Sequence, residues 1–194
     1  MSQADIDAFV WSAANDRLTP EGVTTAVIKR GIPVNGRHSS NGWTALHYAV
    51  RFRHRELAVA LLVAGADANM TNLCGFTPVW LGAAFSIADI LQLLIDGGGS
   101  VNEAHNYGET PLIALVKYNR GDAAARLQVL LVCIELDLDA KYRGRTAEEW
   151  AVRKGCFQLA LAIAEERAKR ERWSALRAAW VAATTSLTAT LSVR

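Results

Sequence analysis

The chain has 194 residues, enough for one domain or two small ones, and 51% of them are hydrophobic. With 21% charged residues it can bury a large core, which excludes an intrinsically disordered or low-complexity protein. A net charge of +2 does not indicate a nucleic-acid-binding protein. Three cysteines without a CxxC pair indicate neither a disulfide framework nor a zinc site.

No targeting or membrane segment is predicted. No apolar run reaches the ~20 residues that a membrane span needs. The first 20 residues carry several charges and lack the pattern of a signal peptide. We therefore expect a protein of the cytoplasm, with the nucleus as the alternative, that has no membrane partner.

Two short segments recur along the chain in phase with each other. In the first, a glycine is followed two positions later by threonine, and the four glycines lie 33, 33 and 36 residues apart. Its copies are Gly42–Ala49, Gly75–Gly82, Gly108–Leu115 and Gly144–Ala151. The copies of the second segment are Gly31–Asn35, Gly65–Asn69, Gly98–Asn102 and Glu135–Asp139.

The first segment predicts the start of a helix, because a threonine hydroxyl accepts from an unpaired backbone N–H and proline suits the first turn. After a turn, an apolar run such as residues 57–62 predicts a second helix that lies between neighbours. Gly65 and its equivalents are typical of helix ends. Each repeat is therefore a pair of helices followed by a returning loop.

The predicted units differ along the chain. The first has Thr19 and Pro20 between its helices and lacks the usual opening, as a terminal cap would. The fourth has a longer turn at residues 119–124, and Glu135 replaces the helix-ending glycine, so that helix should end less sharply or at some cost in strain. The fifth runs into a long final helix, because residues 157–180 contain no glycine or proline. Beyond Thr184 the composition favours strand or disorder, and we expect fraying.

These segments resemble the ankyrin repeat family, above all Gly42–Asn69 with its G-x-T-A-L-H-x-A opening and G-A-D-x-N close. The resemblance implies an all-α ankyrin-repeat solenoid of about five units with degenerate capping repeats at both ends and a long C-terminal helix. The expected repeat domain is 1–170, with units at 5–38, 39–71, 72–104, 105–140 and 141–170. Residues 171–194 are expected to form a helical extension and a frayed tail.

No residue pattern indicates catalysis, a metal site or a cofactor, so we expect a protein that is not an enzyme and binds no cofactor. The resemblance makes His47 and His54 structural, whereas His38 and His105 should be solvated loop residues. Trp80 occupies the position of His47 in its unit and should be core. Trp11 and Trp150 should be core as well.

The resemblance implies a concave groove, lined by loop tips and inner helices, that binds a partner protein. Aromatic and basic residues at such positions are typical interface anchors. The alternative is that some of the aromatic rings fold back and pack between repeats. The candidate partner-binding residues are Trp43, Arg51, Phe52, Phe76, Phe85, Tyr107, Lys117, Tyr118, Arg145 and Arg153.

Charge is unevenly distributed: residues 1–140 carry a net −4 and residues 141–194 a net +6. This indicates a partner with an acidic segment, rather than nucleic acid or a small-molecule substrate, unless the basic side chains only form a solvated helix face. Trp173, Leu176, Trp180 and Leu187 form a stripe that predicts packing of the last helix against the array as a cap. The alternative function is self-association, or docking to a larger complex, through this helix.

Overall fold

The computed structural model describes residues 2–15 and 17–191, with side chains to Val181. Within these residues the chain forms ten α-helices, a π-helical segment at Thr25–Lys29 and no β-strand. The helices are α1 Gln3–Ala14, α2 Pro20–Thr24, α3 Ala45–Arg51, α4 Arg55–Val63, α5 Pro78–Phe85, α6 Ala88–Asp96, α7 Pro111–Tyr118, α8 Ala123–Val132, α9 Ala147–Arg153 and α10 Phe157–Leu191. The all-α solenoid predicted from the repeats is confirmed.

The odd-numbered helices from α1 to α9 pack in a row as an inner layer, and the even-numbered helices from α2 to α10 form an outer layer. From α3 onward, each helix therefore contacts its own partner and its neighbours along the row. The core is accordingly a strip that runs the length of the array rather than one central cluster.

The threonine of each first segment caps an inner helix, as predicted. The hydroxyls of Thr44, Thr77, Thr110 and Thr146 each accept from the backbone N–H three residues later. Gly75 shows why the tips need glycine: its φ is +81°, and a Cβ there would lie 2.3 Å from Oδ1 of Asn106 in the next tip.

The second segment carries a ladder of asparagine side chains that joins consecutive units. Nδ2 of Asn69 donates to the carbonyl of Gly98 at 2.9 Å, and its Oδ1 accepts from the N–H of Ser100 at 2.7 Å. Asn35 and Asn102 make the same pair of bonds to their following units. The last copy has Asp139 instead, which forms an ion pair with Arg167 of α10 at 2.6 Å.

The longer turn of the fourth unit is held by the fully buried Arg126 of α8. Its guanidinium donates to the carbonyls of Ala83 and Arg120, and its Nε lies 3.2 Å from Oδ1 of Asp122. Oδ2 of Asp122 accepts from the N–H of Ala88 at the start of α6. The longer turn is therefore tied to the preceding unit.

Helix α8 ends without a glycine because Arg170 of α10 binds its carboxyl end. The guanidinium of Arg170 donates to the carbonyls of Leu131, Cys133, Ile134 and Leu136 at 2.8–3.3 Å. The helix ends at Val132 and the backbone of Cys133 is extended, so no strain is required at Glu135.

The first part of α10 closes the array, and the second part does not pack on it. Leu159, Ala160 and Ile163 are buried against α8 and α9, whereas all side chains from Glu171 to Val181 are exposed. The predicted packing of Trp173, Leu176 and Trp180 as a cap is therefore wrong, since these three side chains remain 63–68% exposed. The side chain of Leu187 lies outside the described residues.

The predicted change from helix to strand or disorder beyond Thr184 is also wrong as far as Leu191. The backbone of α10 is helical to that residue. The penalty for threonine in a helix is only a few tenths of a kcal/mol per residue (~0.5), which does not end a helix by itself. Residues 192–194 of the predicted tail lie outside the described residues.

Two single-residue predictions of burial were wrong as well. Trp11 is 54% exposed, because α1 is a terminal helix with one neighbour in the inner row. His105 is buried, because its ring packs against those of both Phe76 and Trp80, at 4.8 and 5.4 Å. Trp80 is buried as predicted, and Trp150 is half-buried.

Candidate functional site

The candidate site is the surface formed by the tips and by the carboxyl ends of the inner helices, here called the inner-helix face. At the tips, Trp43 is half-buried and its ring lies 4.7 Å from that of Tyr48. Phe76 is also half-buried, 4.3 Å from the ring of Trp80. Both predicted anchors thus pack largely within the array, which was the alternative considered for them.

The ends of α3, α5 and α7 place alternating aromatic and basic side chains next to each other. Phe52 is 48% exposed and stacks on Tyr48 with a ring separation of 6.2 Å. The guanidinium of Arg51 lies 4.6 Å from the centre of the half-buried Phe85 ring, and Tyr118 contacts the same ring at 4.8 Å. At this distance the exposed guanidinium makes a cation–π contact with the ring. Arg51, Phe52, Phe85 and Tyr118 therefore form one continuous patch.

Lys117 lies at the centre of a second cluster. Its ammonium group forms an ion pair with the buried carboxylate of Glu109 and lies 4.3 Å from the ring of Tyr142. The ring of Trp150 is 5.8 Å away. Glu109 follows the third tip glycine, a position at which no sequence pattern predicts a buried acid. Because its charge is compensated inside the array, Lys117 is less available to a partner than predicted.

Three predicted residues lie at the outer parts of this face. Tyr107 is 76% exposed beside the ring of His105, and Arg145 and Arg153 are both exposed. The guanidinium of Arg145 lies 5.7 Å from the ring of Trp150. The accessible members of the ten candidates are thus Arg51, Phe52, Tyr107, Tyr118, Arg145 and Arg153.

His47 shows how the site is kept rigid. Its Nδ1 accepts from the backbone N–H of Thr44 at 3.2 Å, so its hydrogen is on Nε2, which donates to the carbonyl of Phe76 at 2.9 Å. Burial lowers the pKa of this imidazole from 6.5 to about 4. The neutral ring therefore joins two tips at physiological pH, and its predicted structural role is supported. Trp80 does the same in the next unit, through a bond from Nε1 to the carbonyl of Glu109 at 3.0 Å.

A second exposed surface lies between the end of α8 and the projecting part of α10. Leu131, Val132 and Ile134 line one side of this groove, and Trp173, Leu176 and Trp180 line the other. Three large apolar side chains of one helix are thus 63–68% exposed. Sequence reasoning identified the stripe, but the contribution of α8 to the groove was not predicted.

The described residues contain no group of three or more His, Cys, Asp or Glu side chains arranged to hold a metal ion. In the same part of the chain, no helix combines the length and hydropathy required to cross a membrane. Cys74, Cys133 and Cys156 are all free thiols. The chemistry of the surface is thus that of aromatic, aliphatic and charged contacts.

Comparison with known families agrees with this geometry. One family model, described as ankyrin repeats in many copies, matches residues 27–79, and a second, described as three copies, matches residues 54–129. The two overlapping segments cover more than half of the chain. The chain belongs to the ankyrin repeat family.

The relatives of this ankyrin repeat protein include much longer chains. It is 32% identical to the Neurogenic locus Notch protein of Drosophila melanogaster over 100 residues. This aligned segment covers 51% of this chain and 4% of that protein. It is 27% identical over 151 residues to the human Neurogenic locus notch homolog protein 2, and the alignment covers 77% of this chain and 6% of that protein. The glycerophosphocholine phosphodiesterase gde1 of Schizosaccharomyces pombe is 32% identical over 126 residues, and the alignment covers 63% of this chain and 11% of that protein. The chain thus spans at most about a tenth of the length of these three relatives.

Proposed function

We propose that this ankyrin repeat protein is a non-enzymatic adaptor or regulatory subunit that binds a partner protein through its inner-helix face. Ankyrin repeats in general are protein-binding modules, and this class of function is the one the fold supports. The observation that favours this face is the patch of Arg51, Phe52, Phe85 and Tyr118. Aromatic rings and arginines held together at a surface are the residue types that dominate binding energy in interfaces.

The proposed partner carries an acidic segment. The exposed cations of the face are Arg51, Arg145 and Arg153, and these guanidinium groups offer pairing partners to carboxylates of a bound protein. The cytoplasm, with the nucleus as the alternative, is the proposed location, and the three free thiols support a reducing compartment.

The test is to isolate a partner by affinity purification with mass spectrometry and then to titrate it by calorimetry. Phe52→Ala combined with Tyr118→Ala should weaken binding at least about tenfold, since each anchor contributes more than ~1 kcal/mol in an interface centre. Val63→Ala, which changes an 84% exposed residue of the outer layer, is the matched control. Unchanged affinity in the double variant would refute the assignment of this face.

A second candidate function is assembly through α10. The observation in its favour is the exposure of Trp173, Leu176 and Trp180 along one side of the projecting helix. Such a side is costly to leave in water and is typical of an interaction surface. In the test above, a partner that loses affinity for Leu176→Glu but not for the Phe52 and Tyr118 variant would support this candidate.

A further inference from the structure

The turns that join each inner helix to its outer helix lie side by side along one edge of the array, and consecutive turns contact each other. Nε of Arg53 donates to the carbonyl of Phe85 at 3.0 Å, and the rings of Phe85 and Tyr118 are 4.8 Å apart. Nδ2 of Asn119 donates to Sγ of Cys156 at 3.0 Å. We call this surface the turn edge. Its turns in the second to fifth units are residues 51–55, 85–88, 118–122 and 153–156.

The turn edge carries exposed cations without counter-ions. These residues are Arg51, Arg53, Arg55, Arg120, Arg153 and Lys154. Among the described residues, none of them takes part in an ion pair. Asp122 is paired with the buried Arg126, which leaves Glu56 and Asp89, in the first turns of α4 and α6, as the exposed acids nearest in sequence. The edge is therefore an uncompensated basic surface.

The stability of the fold does not account for all of these cations. A cation in the last turn of a helix is favoured by the helix dipole, which explains Arg51 and Arg153. Arg55 is the first residue of α4, where the same dipole favours an anion. Arg53 has a φ of +64°, a left-handed conformation that is unfavourable for a residue with a Cβ. Cations at such positions indicate a role in binding.

Aromatic side chains accompany the cations along this edge. Phe52 is 48% exposed and Tyr118 is 37% exposed. A ligand that matches both features carries carboxylates together with apolar side chains. A nucleic acid matches less well, because its phosphates repeat at every nucleotide and would meet Glu56 and Asp89.

We propose that the turn edge binds an acidic segment of the partner protein, in which apolar side chains alternate with carboxylates. This inference rests on the proposed function, since Phe52 and Tyr118 belong to both surfaces, and it specifies which part of the partner binds there. Packed helices lie ~8–10 Å apart, so the turns from α3 to α9 span roughly 25–30 Å. An extended chain, at ~3.3 Å per residue, covers that distance with about eight or nine residues.

The first experiment measures fluorescence anisotropy of a labelled peptide of about 12 residues, in which pairs of glutamates alternate with leucine, on addition of the full chain. We expect a dissociation constant at or below about 100 µM at roughly 50 mM salt, and binding at least about fivefold weaker at roughly 250 mM. A matched peptide with glutamine in place of every glutamate should bind at least about tenfold more weakly. Equal binding of the two peptides, or no binding of either, would overturn the proposal.

The second experiment reverses charges on the chain. Arg120→Glu with Arg153→Glu should weaken binding of the glutamate peptide at least about tenfold, because both carboxylates then repel it. Arg172→Glu with Arg177→Glu makes the same change of net charge at exposed positions of α10 and should weaken binding less than about twofold. Equal weakening in both variants would refute the location, and circular dichroism confirms that each is folded.

A single-stranded oligonucleotide of the same charge as the peptide is the further probe. It should bind more weakly than the peptide, because phosphates would face Glu56 and Asp89. Tighter binding of the oligonucleotide that is lost in Arg120→Glu with Arg153→Glu would overturn the proposal in favour of a nucleic acid.

The failure of this inference and of the proposed function can be told apart with the isolated partner. A partner that is weakened by Phe52→Ala with Tyr118→Ala but not by Arg120→Glu with Arg153→Glu would reject the acidic segment alone. A partner that is unaffected by either double variant would reject the inner-helix face as well. Weakening by both double variants, with Arg172→Glu and Arg177→Glu neutral, is the expected result.

Discussion

At the scale of single residues, His47 makes the stability of the folded array depend on pH. Its ring must be neutral, because Nδ1 accepts a hydrogen bond and Nε2 donates one. Burial is the cause of its low pKa, and burial also lowers the pKa of His105. Both imidazoles are harder to protonate in the folded state than in the unfolded state. The contribution of neutral His47 to the free energy of unfolding is thus fully present above the unfolded pKa of 6.5. It decreases as the pH falls towards the folded pKa of about 4.

We expect the free energy of unfolding to fall by about 2 kcal/mol between pH 6.5 and pH 5 because of His47. Urea unfolding followed by circular dichroism at intervals of half a pH unit measures this slope. His47→Gln should be less stable at pH 7 but should lose most of the pH dependence. His38→Gln, a change in the half-buried loop histidine, is the control, and an equal slope in all three proteins would contradict the assignment.

At the scale of elements, Arg170 replaces a glycine that the repeat normally supplies. The guanidinium of this residue of α10 binds the carbonyls at the end of α8. The two helices thus stabilise each other. Without α10 the last carbonyls of α8 would lack this donor, and without α8 the guanidinium of Arg170 would lack these acceptors. The sequence indicated the missing glycine at Glu135 but could not indicate its substitute. Arg170 lies 35 positions later, and an arginine in a charged run is usually solvated.

Replacing Arg170 by alanine should lower the free energy of unfolding by about 2 kcal/mol, because three part-buried carbonyls at the end of α8 lose their donor. Lys169→Ala is the matched control: it removes the neighbouring cation, which is 59% exposed, and should cost only a few tenths of a kcal/mol (~0.3). Chemical unfolding gives both values. Hydrogen exchange should also become faster at the last turn of α8 in Arg170→Ala, and unchanged protection there would contradict the capping role.

How much the sequence predicts differs between elements. The paired segments predicted α3, α5, α7 and α9 and their threonine caps, because both depend on contacts three residues apart, whereas α1 is capped by Ser2. The exposure of Trp11 and the burial of His105 and Glu109 depend on which neighbours the stack supplies, and no local pattern reports those. The same holds for Trp43 and Phe76, which the sequence placed at the site and the structure packs largely into the array.

At the scale of the whole molecule, the array depends on contacts between neighbours, so its ends can be separated from its middle. Residues 172–181 of α10 are exposed, whereas Leu159, Ile163 and Arg170 hold the last unit. A chain that ends after Glu171 should therefore keep its thermal midpoint within about 2 °C at a concentration where the chain is monomeric. A chain that ends after Gly155 should lose more than about 3 kcal/mol.

Calorimetric or optical melting of the two shortened chains checks this prediction. Equal losses in both would contradict the division of α10 into a packed part and a projecting part. The wild-type chain at the same concentration is the control, since it separates the effect of truncation from that of association.

The asparagine ladder joins the units one after another, so the junctions between units bear a pulling force in series. A force that draws the two ends apart acts on one pair of bonds at each junction held by Asn35, Asn69 and Asn102. At the last junction the pair is replaced by the exposed ion pair of Asp139 and Arg167, which dissolved salt weakens. Under tension the fifth unit is held by this ion pair together with the bonds of Arg170, so a higher salt concentration would lower the load at which that unit separates.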